Sequence, residues 1–160
     1  MHLWKQVVVR LAAPNGIHYT LRSLIDFTIP GNPIPLKRHR VSRNGGMYDP
    51  SSKDKKQTWL QIAKYRPKQP LEGNIYLKAI FYMHRPKSHY RTGKYAHLLK
   101  DKFKDIRYHS YKPDLDNLVK MIADILQPQM ICDDSQICIL QAEKIYAEIP
   151  RSEITIEEIS

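Results

Sequence analysis

The chain has 160 residues, with 26 Lys and Arg against 16 Asp and Glu, a formal net charge of +10 and 42% apolar residues. That length and apolar share suit one domain with a core of its own and exclude a disordered chain. No apolar run approaches the roughly 20 residues that cross a bilayer, which excludes a helical membrane span, and the positive balance points to a polyanionic partner without bearing on fold.

The first residues, MHLWKQVVVRLAAP, carry an apolar stretch that Arg10 interrupts too early for a secretory signal. Residues 1–22 therefore read as an N-terminal extension, an added short strand at most, and 23–160 as the domain proper. A strand is expected over 17–29. Pro30-Gly31-Asn32-Pro33-Ile34-Pro35 then forbids a helix and breaks any central strand, leaving an extended loop. It leads into Lys37-Arg38-His39-Arg40 and a turn at Asn44-Gly45-Gly46, which predicts a small hairpin closed by Met47-Tyr48. Ser51 or Ser52 is placed to cap a helix reaching Tyr65, with Trp59, Leu60, Ile62 and Ala63 as its apolar face and Pro67 and Pro70 beyond its end.

Residues 74–83 alternate as a strand, with Ile75, Leu77, Ala79, Phe81 and Met83 on one face. The stretch 84–112 has little apolar content, nine basic residues and four histidines. It reads as a long mobile basic loop with a helical piece near 94–104, and His84, His89, His97 and His109 lack the spacing of a metal site. The last third predicts a helix over 115–127, a turn at Gln127-Pro128 and strands over 135–147 and 152–159. Strands and helices mix without regular βαβ alternation, so the expected class is α+β, a two-layer sandwich with a mixed sheet. Cys132 and Cys138, without further ligands nearby, read as reduced residues of a cytosolic protein.

The net charge hides a division: residues 1–112 carry +17 and residues 113–160 carry −7. A plain nucleic-acid-binding domain has no use for carboxylates beside its anionic ligand, so the acidic third is where chemistry is expected. Lys112-Pro113-Asp114-Leu115-Asp116-Asn117-Leu118-Val119-Lys120 opens the helix, with Asp124 two turns on and Asp133-Asp134 about ten residues past its end. At 100° per residue, Leu115, Leu118, Val119, Ile122, Ile125 and Leu126 form a core-facing stripe, while Asp116, Lys120 and Asp124 line another face. Asp114 falls at the N-cap, where the helix dipole tolerates two carboxylates. The following strand could run back along the helix and add Asp133 and Asp134. Such a cluster would repel itself without a cation, and its oxygen donors suit Mg²⁺ or Mn²⁺. On residue types alone the same side chains also fit a cap, a surface Asp116–Lys120 pair and a polar turn. An EF-hand is excluded, because Leu118 and Val119 stand where an oxygen ligand and a glycine are required.

Lys112-Pro113-Asp114-Leu115-Asp116-Asn117-Leu118 with Lys120 and Asp124, then Asp133-Asp134-Ser135-Gln136-Ile137, resembles the signature of the RusA family of Holliday junction resolvases. Ile29 to Pro35 followed by Arg38 and Arg40 is similar to that family's N-terminal strand and basic loop. The resemblance covers about 25–159 and implies a RusA-like fold and homodimers that cleave four-way junctions symmetrically with Mg²⁺, for which Mn²⁺ is a plausible substitute. It implies metal binding by Asp114, Asp116 and Asp134 and a catalytic Lys120, with Asp124 and Asp133 as secondary positions, in the cytoplasm of a bacterial or phage-infected cell. Lys37, Arg38, Arg40 and Lys112 are the expected DNA contacts; Arg43, Lys53, Lys55, Lys56, Arg85, Lys87, Arg91 and Lys94 are weaker ones. The competing expectations are a metal nuclease acting on flaps or forks and a non-catalytic module that binds branched DNA.

Overall fold

In a computed structural model of the chain, residues 10–12 and 18–159 are described, with side chains from Ser23 onward. The strands are β1 (Arg10–Ala12), β2 (His18–Pro30), β3 (Arg40–Val41), β4 (Met47–Tyr48), β5 (Asn74–His84), β6 (Ile137–Ala147) and β7 (Arg151–Ile159); the helices are α1 (Ser52–Ile62) and α2 (Leu115–Leu126). Five strands form one sheet in the order β1-β2-β7-β5-β6. All neighbours are antiparallel except β5 and β6, which are parallel. The fold is α+β with a mixed sheet, as the sequence predicts.

Period-2 alternation places the sheet's two faces. Ile25, Phe27 and Ile29 of β2, Ile75 through Met83 of β5, and Ile154 and Ile156 of β7 are buried beneath the helices. Asp26, Thr28, Tyr76, Lys78, Ile80, Glu153 and Thr155 alternate with them on the other face. α2 sends Leu118, Met121, Ile122, Ile125 and Leu126 into this core, with Leu115 and Val119 at its margin. The predicted stripe is therefore correct, and Met121 joins it.

α1 departs from expectation. Its buried residues are Thr58 and Ile62, four apart and hence on one face, whereas Leu60 is 68% exposed because two residues from either rotate it about 200° away. The helix ends at Ile62, and a 3-10 turn carries the chain through Ala63–Tyr65. Ser51 stands at the N-cap without a capping bond, since its Oγ accepts the Lys37 N–H at 2.8 Å instead.

Pro30 ends β2 as predicted, and Gly31 turns with φ +96°, a left-handed conformation that glycine adopts without a Cβ clash. The hairpin at 42–46 forms between β3 and β4, with Gly45 at φ +81°.

The segment 84–112 is not the open loop with a helix at 94–104 that its composition suggests. It folds as three 3-10 turns, Lys87–His89, Gly93–Tyr95 and Asp101–Phe103, joined by a bridge between Tyr90 and Leu99. Arg85 organises it. Its guanidinium donates to Ile106 O at 2.6 Å and Phe103 O at 3.3 Å and lies over the Tyr146 ring, so it is only 9% exposed. His89 stacks on Phe103, with ring centroids 3.9 Å apart, and packs edge-on to Tyr146. Residues 107–109 then return along β6, the Tyr146 N–H donating to Arg107 O and the His109 N–H to Lys144 O.

Candidate active site

The chain reaches α2 through Lys112-Pro113, and Asp114 takes the extended N-cap conformation, φ −71° and ψ 143°. Its carbonyl accepts the first helical N–H, from Leu118 at 3.3 Å. Its side chain makes no capping bond, which leaves an exposed carboxylate with both oxygens free of the helix. Asp116 follows in the first turn, also exposed. The Lys120 ammonium donates to Asp116 Oδ2 at 3.1 Å and holds the carboxyl below the usual aspartate range. Two carboxylates thus stand at the positive end of the helix dipole, with a lysine one turn along.

Asp124 faces elsewhere. Lys55 of α1 lies between it, at 2.8 Å, and Asp49, at 2.7 Å. Burial opposes the charge on Lys55, yet the Asp124 and Asp49 carboxylates outweigh burial and raise its pKa above the ordinary lysine value. This pair ties α1 to α2, and Lys55 is occupied there rather than offered to phosphate.

Asp133 is committed as well. Its Oδ1 accepts the Ser135 N–H at 2.9 Å, while Gln136 Oε1 accepts the Asp133 N–H, a capping box at the 3-10 turn Asp134–Gln136. The Gln136 amide also donates to Leu71 O and Gly73 O, fixing this turn to the start of β5. Asp134 is exposed beside it.

The expected cluster of four carboxylates does not assemble within one chain. Among the described residues no three His, Cys, Asp or Glu side chains converge as a metal site. The reason is direction: β6 does run back along α2, but it starts where the helix ends. Lys144, near the far end of β6, donates from Nζ to Tyr111 O at 2.6 Å and to Pro113 O, which marks the level of the helix start. Asp134 therefore lies toward the opposite end of a 12-residue helix, which is itself about 18 Å long at 1.5 Å per residue.

Lys144 is a position near the candidate site that the sequence did not single out. It is a β6 residue that fastens the turn just ahead of Asp114, and only the register of β6 against α2 reveals it.

The basic segment meets this site. The Leu36 N–H donates to Asn117 O at 2.9 Å and pins the chain to the first turns of α2. Lys37 is paired with Asp54 of α1 at 2.8 Å, whereas Arg38 and Arg40, which follow it in the chain, and Lys112, two residues ahead of Asp114, are exposed. In the 84–112 segment, Arg85 is buried and Arg91 pairs with Asp101, so neither presents a free cation, while Lys87 and Lys94 are exposed.

A two-layer α+β chain with a carboxylate pair inside a basic surface has the makings of a protein that handles nucleic-acid backbones. A family model described as Endodeoxyribonuclease RusA matches residues 30–157. The chain is 33% identical over 141 residues to the uncharacterized protein YqaN of Bacillus subtilis (strain 168), covering 85% of this chain and 97% of that one. It is also 32% identical over 100 residues to a crossover junction endodeoxyribonuclease rusA of Lactococcus phage r1t, covering 62% of this chain and 67% of the relative. The class is that of nucleases. The chain belongs to the RusA family of Holliday junction-resolving endonucleases.

Proposed function

We propose that the protein resolves four-way DNA junctions by Mg²⁺-dependent hydrolysis of paired phosphodiesters near the branch point, in recombination and repair, and that it works as a homodimer. The observation that carries this reading is the uncapped Asp114 carboxylate beside Asp116 at the start of α2, where Leu36, just ahead of the basic segment 37–40, is hydrogen-bonded to Asn117. Family membership supports the reaction and the substrate class.

The donor chemistry fits a hard cation: exposed carboxylate oxygens with coordination positions to spare. Asp114, Asp116 and Asp134 would hold Mg²⁺, with Mn²⁺ able to replace it, and the bound ion would supply an activated water and charge stabilisation at the phosphate. Arg38, Arg40 and Lys112 bind flanking phosphates and set the backbone in place. Lys120 keeps Asp116 ionised and carries an ammonium on a flexible stem, suited to offset charge on the phosphoryl oxygens. Because a helix length separates Asp134 from the pair, each site draws Asp134 from the partner subunit.

Cleavage of a synthetic four-way junction with Mg²⁺ or Mn²⁺ tests this, against flaps and forks at equal salt. Asp116→Asn is expected to lose at least about 100-fold in rate, since a ligand to a catalytic cation contributes several kcal/mol, while junction binding persists. Mixing Asp116→Asn chains with Asp134→Asn chains should recover single-strand nicking, since each mixed dimer then holds one intact site. Junctions bound and never cut would remove the hydrolytic reading in favour of a DNA-binding module.

A further inference from the structure

The hairpin of β3 and β4 carries apolar side chains that the core does not use. It forms a two-stranded sheet of its own, with Arg40 opposite Tyr48 and Val41 opposite Met47. Directly opposed residues share a face and successive ones alternate, so Val41 and Met47 make one face and Arg40 and Tyr48 the other. Val41 is 68% exposed and Met47 74%, whereas Met83, Met121 and Met130 are buried. Both the tip and the base of the hairpin are fastened. At the tip the Ser42 N–H donates to Gly46 O at 2.7 Å and the Gly45 N–H to Ser42 O at 3.0 Å. At the base, Leu36 is bonded to Asn117 of α2, the Lys37 N–H donates to Ser51 Oγ, and Asp49 pairs with Lys55 of α1. Arg38, Arg40 and Arg43 are exposed on the same short segment.

We propose that Val41 and Met47 seat against the base pair left unstacked at a DNA branch point, and so select branched DNA over continuous duplex. The substrate in this inference rests on the proposed function. Arginines bind the phosphates of any duplex, so Arg38, Arg40 and Arg43 supply affinity without preference for a branch. An apolar pair gains nothing along a continuous duplex, where stacking hides the flat faces of the bases. Where arms meet and open, the last pair of an arm loses one stacking neighbour and presents that face. Methionine and aliphatic side chains act as wedges at such unstacked steps in proteins that kink DNA. Contact there removes both exposed side chains from water. The position of the hairpin adds to this. Asn117, which fastens its base, directly follows Asp116, so the element that finds the branch is tied to the helix that carries the carboxylates.

A four-way junction carrying the fluorescent base 2-aminopurine beside the branch point reads the contact, because this base brightens when a neighbour no longer stacks on it. The whole Asp116→Asn protein, which is expected to bind without cutting, should brighten the probe at the branch and leave one placed within an arm dark. Adding Val41→Ser/Met47→Ser should abolish the brightening and weaken junction binding at least about tenfold, as expected when two apolar side chains lose their cover. Affinity for continuous duplex should stay unchanged. Val41→Ile/Met47→Leu should keep both the brightening and the preference, and all variants should retain the wild-type circular dichroism spectrum. A probe that stays dark with the unaltered hairpin, a serine variant that binds junctions as before, or one that loses junction and duplex affinity equally would overturn the wedge. Cleavage with Asp116 intact separates this from the functional reading. Branch-point brightening that depends on Val41 and Met47, without any cutting, leaves the wedge standing and removes the nuclease; junctions cut with full preference by the serine variant do the reverse.

Discussion

Lys144 shows how much a single side chain governs at this site. Its ammonium joins Tyr111 O and Pro113 O and so fixes the backbone that delivers Asp114. Replacing it with methionine keeps the aliphatic stem and removes the charge that holds this turn. Groups that orient ligands typically contribute 10–100-fold, so Lys144→Met is expected to slow junction cleavage by about that factor and to raise the Mg²⁺ concentration needed for half-maximal rate. Lys144→Arg should restore part of both. A Mg²⁺ requirement identical to wild type would show that Lys144 only stabilises the fold. Asp133 and Asp134 make the complementary point, since adjacent identical residues have different work: one closes a capping box and the other stands exposed beside it.

At the level of elements, legibility followed the range of the forces. α2 could be read because its apolar period and its N-terminal Pro113-Asp114 are local, and β5 because its alternation is uninterrupted. The 84–112 segment could not be read, because what orders it is a buried arginine donating to distant carbonyls and histidines packed against Phe103 and Tyr146. Neither interaction leaves a periodic trace in sequence. The carboxylate pair was legible from Asp114-Leu115-Asp116, but the distance to Asp134 depends on which end of α2 the next strand starts from, and the residue count between them does not say. The histidines of this segment have a measurable consequence. Burial, with Arg85 and Lys100 adding repulsion, lowers the pKa of His89 below its ordinary 6.5, and burial together with Lys144 does the same to His109. The unfolded chain therefore takes up these protons first as pH falls, and stability declines below about pH 6.5 by linkage. The urea midpoint should drop between pH 7 and pH 5, and His89→Phe, which keeps a ring against Phe103, should make that drop smaller. An unchanged slope would mean that His89 titrates equally in both states.

For the molecule as a whole, segregation of charge matters more than its sum. The +17 of residues 1–112 attracts a polyanion, and the −7 that follows repels one at Asp114 and Asp116, a repulsion that the proposed cation would remove. Of the cations near that approach, Arg38 and Arg40 are exposed, while Lys37 and Lys55 are held in ion pairs. Each phosphate contact contributes about 0.9 to the slope of log affinity against log salt concentration. Arg38→Ala and Arg40→Ala should therefore each flatten the slope for junction binding by about one, measured with the Asp116→Asn protein to prevent cleavage. Lys37→Ala should leave that slope unaltered. Equal effects for all three would place Lys37 at the DNA.

The one parallel pairing in the sheet has a broader consequence. Because β5 and β6 point the same way, the chain leaves one end of the sheet after His84 and must travel back to the other before Ile137. That return path holds the 3-10 turns, the exposed lysines and every carboxylate assigned to the chemistry. Residues added to its outer turns leave the pairing of both strands untouched, so the scaffold and the cutting apparatus are mechanically separable. The path can be lengthened to retune what the chain contacts while the sheet that frames it stays the same.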